Sequence, residues 1–245
     1  MFRRVASSRQ GKVRGRIAAA FNYDNYRKTV LVSIAKMLNV KTCPYCNMHY
    51  TLYAEEGTHA DDRLTRLQFD HFIDKNTYPM LSMSFFNLIP SCAVCNQGKS
   101  KTSLPIKFNP YSRSIQNAFS FEIDNPIGFF AGSNVRDVVD LNLAPKVGYT
   151  KSDVGAYDSV FHLKALYGRH KDIVKETFDK AYTEAYYCKT SPHFSRLGVE
   201  AQAYIHKLWY GVSLNESDIE KRPMSKFIID LRYQALLEKA KGLKI

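Results

Sequence analysis

Four of the five cysteines form two Cys-x-x-Cys pairs, Cys43/Cys46 and Cys92/Cys95. Two sulfur atoms at this spacing can surround one tetrahedral ion, and a second pair completes a closed four-cysteine shell. A redox motif and two disulfides are the alternatives, but a thioredoxin-like motif normally occurs once, beside a βαβ pattern. The pattern therefore favours structural zinc, which can contribute about 10–16 kcal/mol of apparent binding energy to folding. Because 45 residues separate Cys46 from Cys92, the insert must contain structure of its own.

That insert has a recognisable order. Residues 64–69 alternate between apolar and polar side chains, which predicts a strand ending at Asp70-His71. Polar and proline residues predict a loop over 74–80, and the mostly apolar run 81–89 predicts a second strand. A helix is expected over 92–101, after Pro90. The predicted order is therefore strand, loop, strand, helix.

These motifs together resemble the HNH endonucleases, in the subgroup with a four-cysteine zinc site. The resemblance covers roughly residues 41–105 and rests on Cys43-x-x-Cys46, Asp70-His71, Asn87-Leu88, Cys92-x-x-Cys95-Asn96 and Lys99. One departure is Asn96, which stands where the family signature has histidine. The resemblance implies a ββα-metal core stapled by zinc.

The resemblance also implies roles for individual residues. Phosphodiester hydrolysis needs an activated water, and the near-neutral pKa of histidine suits His71 to be the general base. A carboxylate with an amide oxygen suits Mg²⁺ or Mn²⁺, so Asp70 and Asn96 are the expected ligands of a catalytic cation. Asn87 is expected to hold the histidine loop in position. The alternative for His71 taken alone is a partly buried histidine whose hydrogen bonds are satisfied.

The net charge of +12 favours a polyanionic partner, and nucleic acid is the expected one. Lys99 and Lys101, on the first turns of the predicted helix, are expected to meet phosphate oxygens. Residues 1–16 contain no acid and six basic residues that could lie along a nucleic-acid backbone: Arg3, Arg4, Arg9, Lys12, Arg14 and Arg16. A solvated terminus and an organelle transit peptide are the alternatives for this segment.

The remaining chain completes an α+β protein with mainly helical flanks around the core. Three regions are expected: a basic arm and helix over 1–40, the core over 41–115, and an irregular or β segment followed by helices over 116–245. Within these regions, helices are predicted over 24–39, 159–187, 192–209 and 223–241, and strands over 119–123 and 135–143.

Cysteine usage predicts a reducing, cytoplasmic compartment, because the paired cysteines are interpreted as zinc ligands. The fifth cysteine, Cys188, is expected to be a buried thiol. No apolar run approaches the roughly 18 residues of a membrane span, so no membrane association is expected.

The expected function is metal-dependent endonucleolytic cleavage of DNA, leaving a 5′-phosphate and a 3′-hydroxyl. A weaker similarity, in segments 166–172 and 222–227, links the chain to HNH proteins encoded beside ATPases in bacterial antiphage systems of the Septu and retron type. That similarity implies a defence effector acting with an ATPase subunit. The alternatives are an RNase and a non-catalytic zinc module that binds nucleic acid or a partner protein. A pure binding module would have no need of Asp70-His71 with Asn87 and Asn96.

Overall fold

The structure is a computed structural model that describes residues 7–26, 30–38, 40–55, 63–65, 67–130 and 138–241. Over these residues the chain is α+β, as the sequence predicts, with three antiparallel two-stranded sheets. It divides into two compact units between Ser114 and Ile115. In the part of the chain so described, no helix is both long enough and apolar enough to cross a bilayer.

The first unit combines short helices with two hairpins. Its elements in chain order are α1 (Ser7–Phe21), α2 (Tyr23–Tyr26), α3 (Val30–Leu38), β1 (Tyr53–Glu55), β2 (Arg63–Thr65), β3 (Gln68–His71), β4 (Leu88–Ser91) and α4 (Ala93–Lys99). Strand β1 pairs with β2, and β3 pairs with β4. The single helix predicted over 24–39 is replaced by α2 and α3, and residues 27–29 and 39 lie outside the described part.

The predicted strand over 64–69 is divided between β2 and β3, which belong to different hairpins. In the predicted strand over 81–89, only the last residues join β4, because two 3₁₀ turns, Pro79–Leu81 and Phe85–Asn87, take up much of this region. In a short apolar run, periodicity alone cannot distinguish a strand from turns. The predicted loop is therefore longer, and it connects β3 to β4.

Helix α4 begins directly after the second cysteine pair. The Cys92 sulfur accepts a hydrogen bond from the backbone N–H of Cys95, so Cys92 caps the helix. The helix ends before Ser100, whose φ of 46° is incompatible with helical continuation. The observed helix is therefore shorter at both ends than the predicted range 92–101.

The second unit packs helices against one hairpin. Its elements are β5 (Phe119–Ile123), α5 (Pro126–Phe130), β6 (Leu141–Pro145), α6 (Lys151–Phe161), α7 (Leu163–Tyr167), α8 (Lys171–Thr190), α9 (Pro192–Ser195), α10 (Val199–Tyr210) and α11 (Ser225–Ala240). Strand β5 alternates in burial, with Phe119, Phe121 and Ile123 facing the core. Its prediction over 119–123 is confirmed. The strand expected over 135–143 overlaps β6 only at 141–143, since residues 138–140 are not in a strand, β6 continues to Pro145, and residues 131–137 lie outside the described part.

The helix predicted over 159–187 is three helices. Helix α6 starts earlier, at a capping box formed by Thr150 and Asp153. His162 then adopts a left-handed conformation with φ of 52°, which ends α6. Cys188 is exposed, so the expectation of a buried thiol is wrong. It lies in the last turns of α8 beside the exposed Tyr186 and Tyr187, where the helix extends past the buried interior.

Candidate metal centre and histidine site

The four paired cysteines converge in the first unit. Cys43, Cys46, Cys92 and Cys95 are all buried, and their sulfur atoms lie within 4.8 Å of one another. The sulfur atoms of Cys46 and Cys92 are 4.0 Å apart. Tetrahedral zinc with Zn–S bonds of about 2.3 Å requires sulfur–sulfur distances of about 3.8 Å. The cluster can therefore hold a metal ion and fits structural zinc.

Local backbone geometry explains why the first pair folds this way. Thr42 and Tyr50 form an isolated antiparallel bridge, which closes the chain around the pair. Asn47 follows Cys46 with φ of 50°, and its side chain donates to the Thr42 hydroxyl over 3.1 Å. Asparagine tolerates this left-handed conformation better than most residues.

Backbone N–H groups and one histidine contact the sulfur atoms. Met48 donates to Cys46 and Cys95 donates to Cys92, each from nitrogen to sulfur over 3.4 Å. His49 Nδ1 lies 3.7 Å from the sulfur atoms of both Cys46 and Cys92. Such partners of the ligands orient them and tune a metal site. The contact of His49 with the cysteines was not predicted from the sequence, although its position three residues after Cys46 places it in the same turn.

His71 lies at the end of β3, where the sequence predicts it. Its Nε2 is 3.0 Å from the carbonyl oxygen of Ser82. A carbonyl oxygen only accepts, so Nε2 carries the proton and Nδ1 is the basic nitrogen. Burial lowers the pKa of His71 to about 4, which leaves the ring neutral at pH 7. The Tyr23 ring packs edge-on against the imidazole, with ring centroids 4.5 Å apart.

Asn87 fixes the loop between β3 and β4 from within. Its side-chain oxygen accepts from the backbone N–H of Ile73 over 2.7 Å. Its amide nitrogen donates to the carbonyl oxygens of Ile73 and Leu81, each over 3.0 Å. Because Ser82 follows Leu81 directly, these bonds also restrain the carbonyl that accepts from His71. These bonds link three parts of the loop, and the orienting role that the resemblance implies for Asn87 stays a prediction.

Asp70 faces the opposite side of β3 from His71, as alternation along a strand requires. Its carboxylate accepts from the Tyr45 hydroxyl over 2.7 Å and pairs with the Lys99 ammonium over 3.1 Å. Burial raises the pKa of Asp70, and the positive charge of Lys99 opposes that effect. Lys99 also donates to the carbonyl oxygen of His71 over 2.8 Å. This network joins α4 to the end of β3.

Lys99 was expected to contact phosphate oxygens, but the structure does not place it where it could do so. Its side chain is 1% exposed, because it lies against Asp70 and the Phe72 ring. Lys101, two residues later, is exposed and stays available to solvent. The sequence placed both lysines on the first turns of the helix, whereas Lys99 is the last residue of α4 and Lys101 lies beyond it.

Asp70 and Asn96 are the oxygen donors expected to hold a catalytic cation. Their chemical types suit Mg²⁺ or Mn²⁺. However, both oxygens of Asp70 are already engaged by Lys99, and one also by Tyr45. Asn96 donates its amide to the side-chain oxygen of Gln68 over 2.7 Å. In this arrangement the pair does not fit a bound cation. The expectation of a catalytic Mg²⁺ or Mn²⁺ ion is supported only by the sequence resemblance.

The basic residues of the N-terminal segment are only partly described. Arg3 and Arg4 lie outside the described residues, as does the side chain of Arg9. The other three, Lys12, Arg14 and Arg16, are exposed on α1, so this part of the segment is helical.

Comparison with known proteins gives no match: no family model, curated protein or solved structure matches this chain.

Proposed function

We propose that the chain is an HNH-type endonuclease that hydrolyses phosphodiester bonds of DNA. The observation that carries the proposal is His71, a neutral histidine at a strand end with its Nε2–H bound to the Ser82 carbonyl. This arrangement leaves Nδ1 as a base that needs no prior loss of a proton at pH 7. The neighbouring four-cysteine cluster stabilises the elements from which the histidine projects.

In the proposed reaction, Nδ1 of His71 accepts a proton from a water molecule as its oxygen attacks phosphorus. The bond from phosphorus to the 3′ oxygen breaks, and this oxygen takes a proton from solvent water to give a 3′-hydroxyl, leaving a 5′-phosphate. The proton held by Nδ1 of His71 is then released to solvent. Asn87 and the Ser82 carbonyl hold the imidazole ring in one orientation. Lys99 restrains the backbone carbonyl of His71 from the other side.

The experiment is an incubation of plasmid DNA, and separately of RNA, with and without added Mg²⁺ or Mn²⁺. We expect divalent-dependent cleavage of DNA by the wild-type chain. His71→Gln keeps an amide donor for Ser82 but removes the base, so cleavage should fall by about 10²–10⁴-fold. His193→Gln, an exposed histidine in α9, is the matched control and should cleave normally.

Zinc content and thermal unfolding of His71→Gln at pH 7 should match the wild type, because His71 is not a cysteine-cluster residue. Cleavage by this variant within about tenfold of wild type would exclude His71 as the general base. Binding of DNA without any cleavage would favour the non-catalytic zinc module, and preferential cleavage of RNA would favour the RNase.

The weaker resemblance extends this proposal to an antiphage effector that acts with an ATPase subunit. Segments 166–172 and 222–227 carry it. Co-expression with the ATPase of such a system, followed by size-exclusion chromatography, tests whether the two chains form a complex.

A further inference from the structure

A cavity of about 590 Å³ lies between α1 and the loop that follows His71. Helix α1 forms one wall, and it packs against the 3₁₀ turn Pro79–Leu81. Its lining includes Gly11, Arg14, Gly15, Tyr23, Lys75 and Ser82. None of the described lining residues is acidic.

This cavity adjoins the histidine site at two points. Tyr23 lines it and packs edge-on against the His71 ring. Ser82 lines it too, and its carbonyl oxygen accepts from His71 Nε2. A group held in the cavity would therefore contact two residues that themselves contact the imidazole.

The two walls each contribute one cation. Arg14 belongs to α1, and Lys75 belongs to the loop after β3. The Lys75 ammonium lies 4.1 Å from the centre of the Tyr23 ring, so it is directed towards the wall nearest His71. The adjacent Asp74 is not among the lining residues, and its carboxylate accepts from Asn76 and Thr77 within its own loop.

Two glycines of α1 keep the cavity open. A Cβ atom at Gly11 or Gly15 would meet nothing within 4 Å, and neither residue has the positive φ that requires glycine. Glycine is less favourable than alanine inside a helix, so neither packing nor backbone geometry accounts for these two. Their effect is to leave room for a ligand to approach the helix backbone closely.

We propose that this cavity is the cleft that binds a backbone phosphate of the substrate DNA, next to the phosphodiester that is hydrolysed at His71. Arg14 and Lys75 contact the phosphate from opposite walls, and the glycine face of α1 admits the strand. The inference rests on the proposed function, since it assigns a binding cleft to that same site. It also separates Arg14 from the other exposed cations of α1.

The test is binding of a duplex DNA oligonucleotide, measured by fluorescence anisotropy over a KCl series without added divalent cation. Each phosphate contact contributes about 0.9 to the slope of log K against log salt. Because the two cations share one phosphate, removing both should flatten the slope by about 0.9, and Arg14→Gln or Lys75→Gln alone should flatten it by about half of that. Arg16→Gln is the matched control: it removes the same charge from the same helix outside the cavity, and its slope should change by less than half as much.

Steric substitutions test the cleft independently of charge. Gly15→Leu places a side chain in the cavity and should weaken DNA binding by at least about tenfold, with helix content by circular dichroism at or above wild type. Gly155→Leu is the control, because a Cβ atom at Gly155 in α6 also meets nothing within 4 Å. It should bind DNA as the wild type does.

Equal slopes for the Arg14 and Arg16 variants, or unchanged binding by Gly15→Leu, would overturn the cleft. These results are independent of cleavage. If the wild type cleaves DNA but the cleft variants bind normally, only this inference fails. If the cleft variants bind weakly as expected but the wild type cleaves neither DNA nor RNA, only the proposed function fails.

Discussion

The two units bury their interiors by different means. The second unit has a core of aromatic rings in mutual edge or tilted contact, including Phe119, Phe121, Tyr167 and Phe227. The first unit instead has the sulfur cluster at its centre, with a few large apolar side chains such as Leu31, Phe72 and Ile89 among its described residues. Apolar burial can hold the second unit together, whereas we expect the first unit to depend also on a metal ion bound by its cysteine cluster.

Both units also contain a buried lysine–aspartate pair. Lys99 and Asp70 are 3.1 Å apart in the first unit, and Lys226 and Asp230 are 2.7 Å apart in the second. Lys226 also donates to the carbonyl oxygen of Phe119, so that pair joins α11 to β5. Since the same kind of pair occurs in the second unit, which contains no proposed catalytic residue, a buried ion pair alone does not identify a catalytic site. The first unit differs from the second in that it also contains His71 and the cavity that adjoins it.

Removal of the metal should produce the largest difference in amide protection between the two units. Four-cysteine zinc sites contribute about 10–16 kcal/mol of apparent energy, so chelation or Cys92→Ser should abolish amide protection over the described residues of 40–113. Protection of 119–123 and 151–190 should persist. Hydrogen–deuterium exchange with mass spectrometry measures both in one sample.

Cys188→Ser is the control for that experiment, because it removes an exposed thiol outside the cluster. It should leave exchange in both units unchanged. Full protection of the first unit in a chain shown to be metal-free by native mass spectrometry would mean that the cysteine cluster does not need an ion.

The buried lysines should give the next largest effect. Removing one member of a buried ion pair leaves an uncompensated charge, which costs about 3–5 kcal/mol. Lys99→Met and Lys226→Met should therefore each lower the free energy of unfolding of their own unit by that amount. Only Lys99→Met should also slow cleavage under conditions where both variants are folded, because Lys99 holds the His71 carbonyl.

Urea unfolding followed by hydrogen exchange assigns each loss to its unit. Lys180→Met is the control, since its partner Glu176 is largely exposed and such surface pairs contribute about 0–1 kcal/mol. If Lys226→Met slows cleavage as much as Lys99→Met does, the distinction between a structural pair and a pair that supports the site does not hold.

The sequence predicted the parts of the first unit that short spacings determine. The spacing of the cysteine pairs favoured a shared zinc ion, and the structure brings their sulfur atoms together in a cluster that can hold one. The alternating strand pattern placed His71 at a strand end, where it is found. The boundaries of the loop after it were missed because the apolar run 81–89 lacks a period, and turns there are set by the contacts of Asn87.

Long-range pairing accounts for most of the remaining errors. Sequence spacing could not show that Lys99 turns towards Asp70, which lies 29 residues away, instead of towards solvent. Nor could it show that Tyr23 reaches His71, since that contact depends on how α1 and α2 pack on the loop. The break of the long predicted helix at His162 was also hidden, because apolar periodicity continues through it.

The smallest expected effect is the dependence of stability on pH, in which His71 should distinguish the first unit. Its pKa is about 4 in the folded chain because burial disfavours the charged ring, whereas an unfolded histidine has a pKa of about 6.5. Between these values the unfolded state binds more protons than the folded state. The free energy of unfolding therefore falls as pH drops from about 6.5 to about 4, and it is independent of His71 above that window.

Partial exposure of the ring reduces the effect, so we expect a loss on the order of 2 kcal/mol from His71. Acid also protonates cysteine ligands, and for this reason the informative quantity is the difference between wild type and His71→Gln in urea unfolding at pH 7 and pH 5. The variant should lose less stability than the wild type. In the second unit, burial also lowers the pKa of His206, but Glu184 opposes the shift, so His206→Gln should change the pH dependence less. Equal losses by wild type and His71→Gln would show that His71 is not held neutral by burial. Burial would then not explain how His71 could act as a base at pH 7.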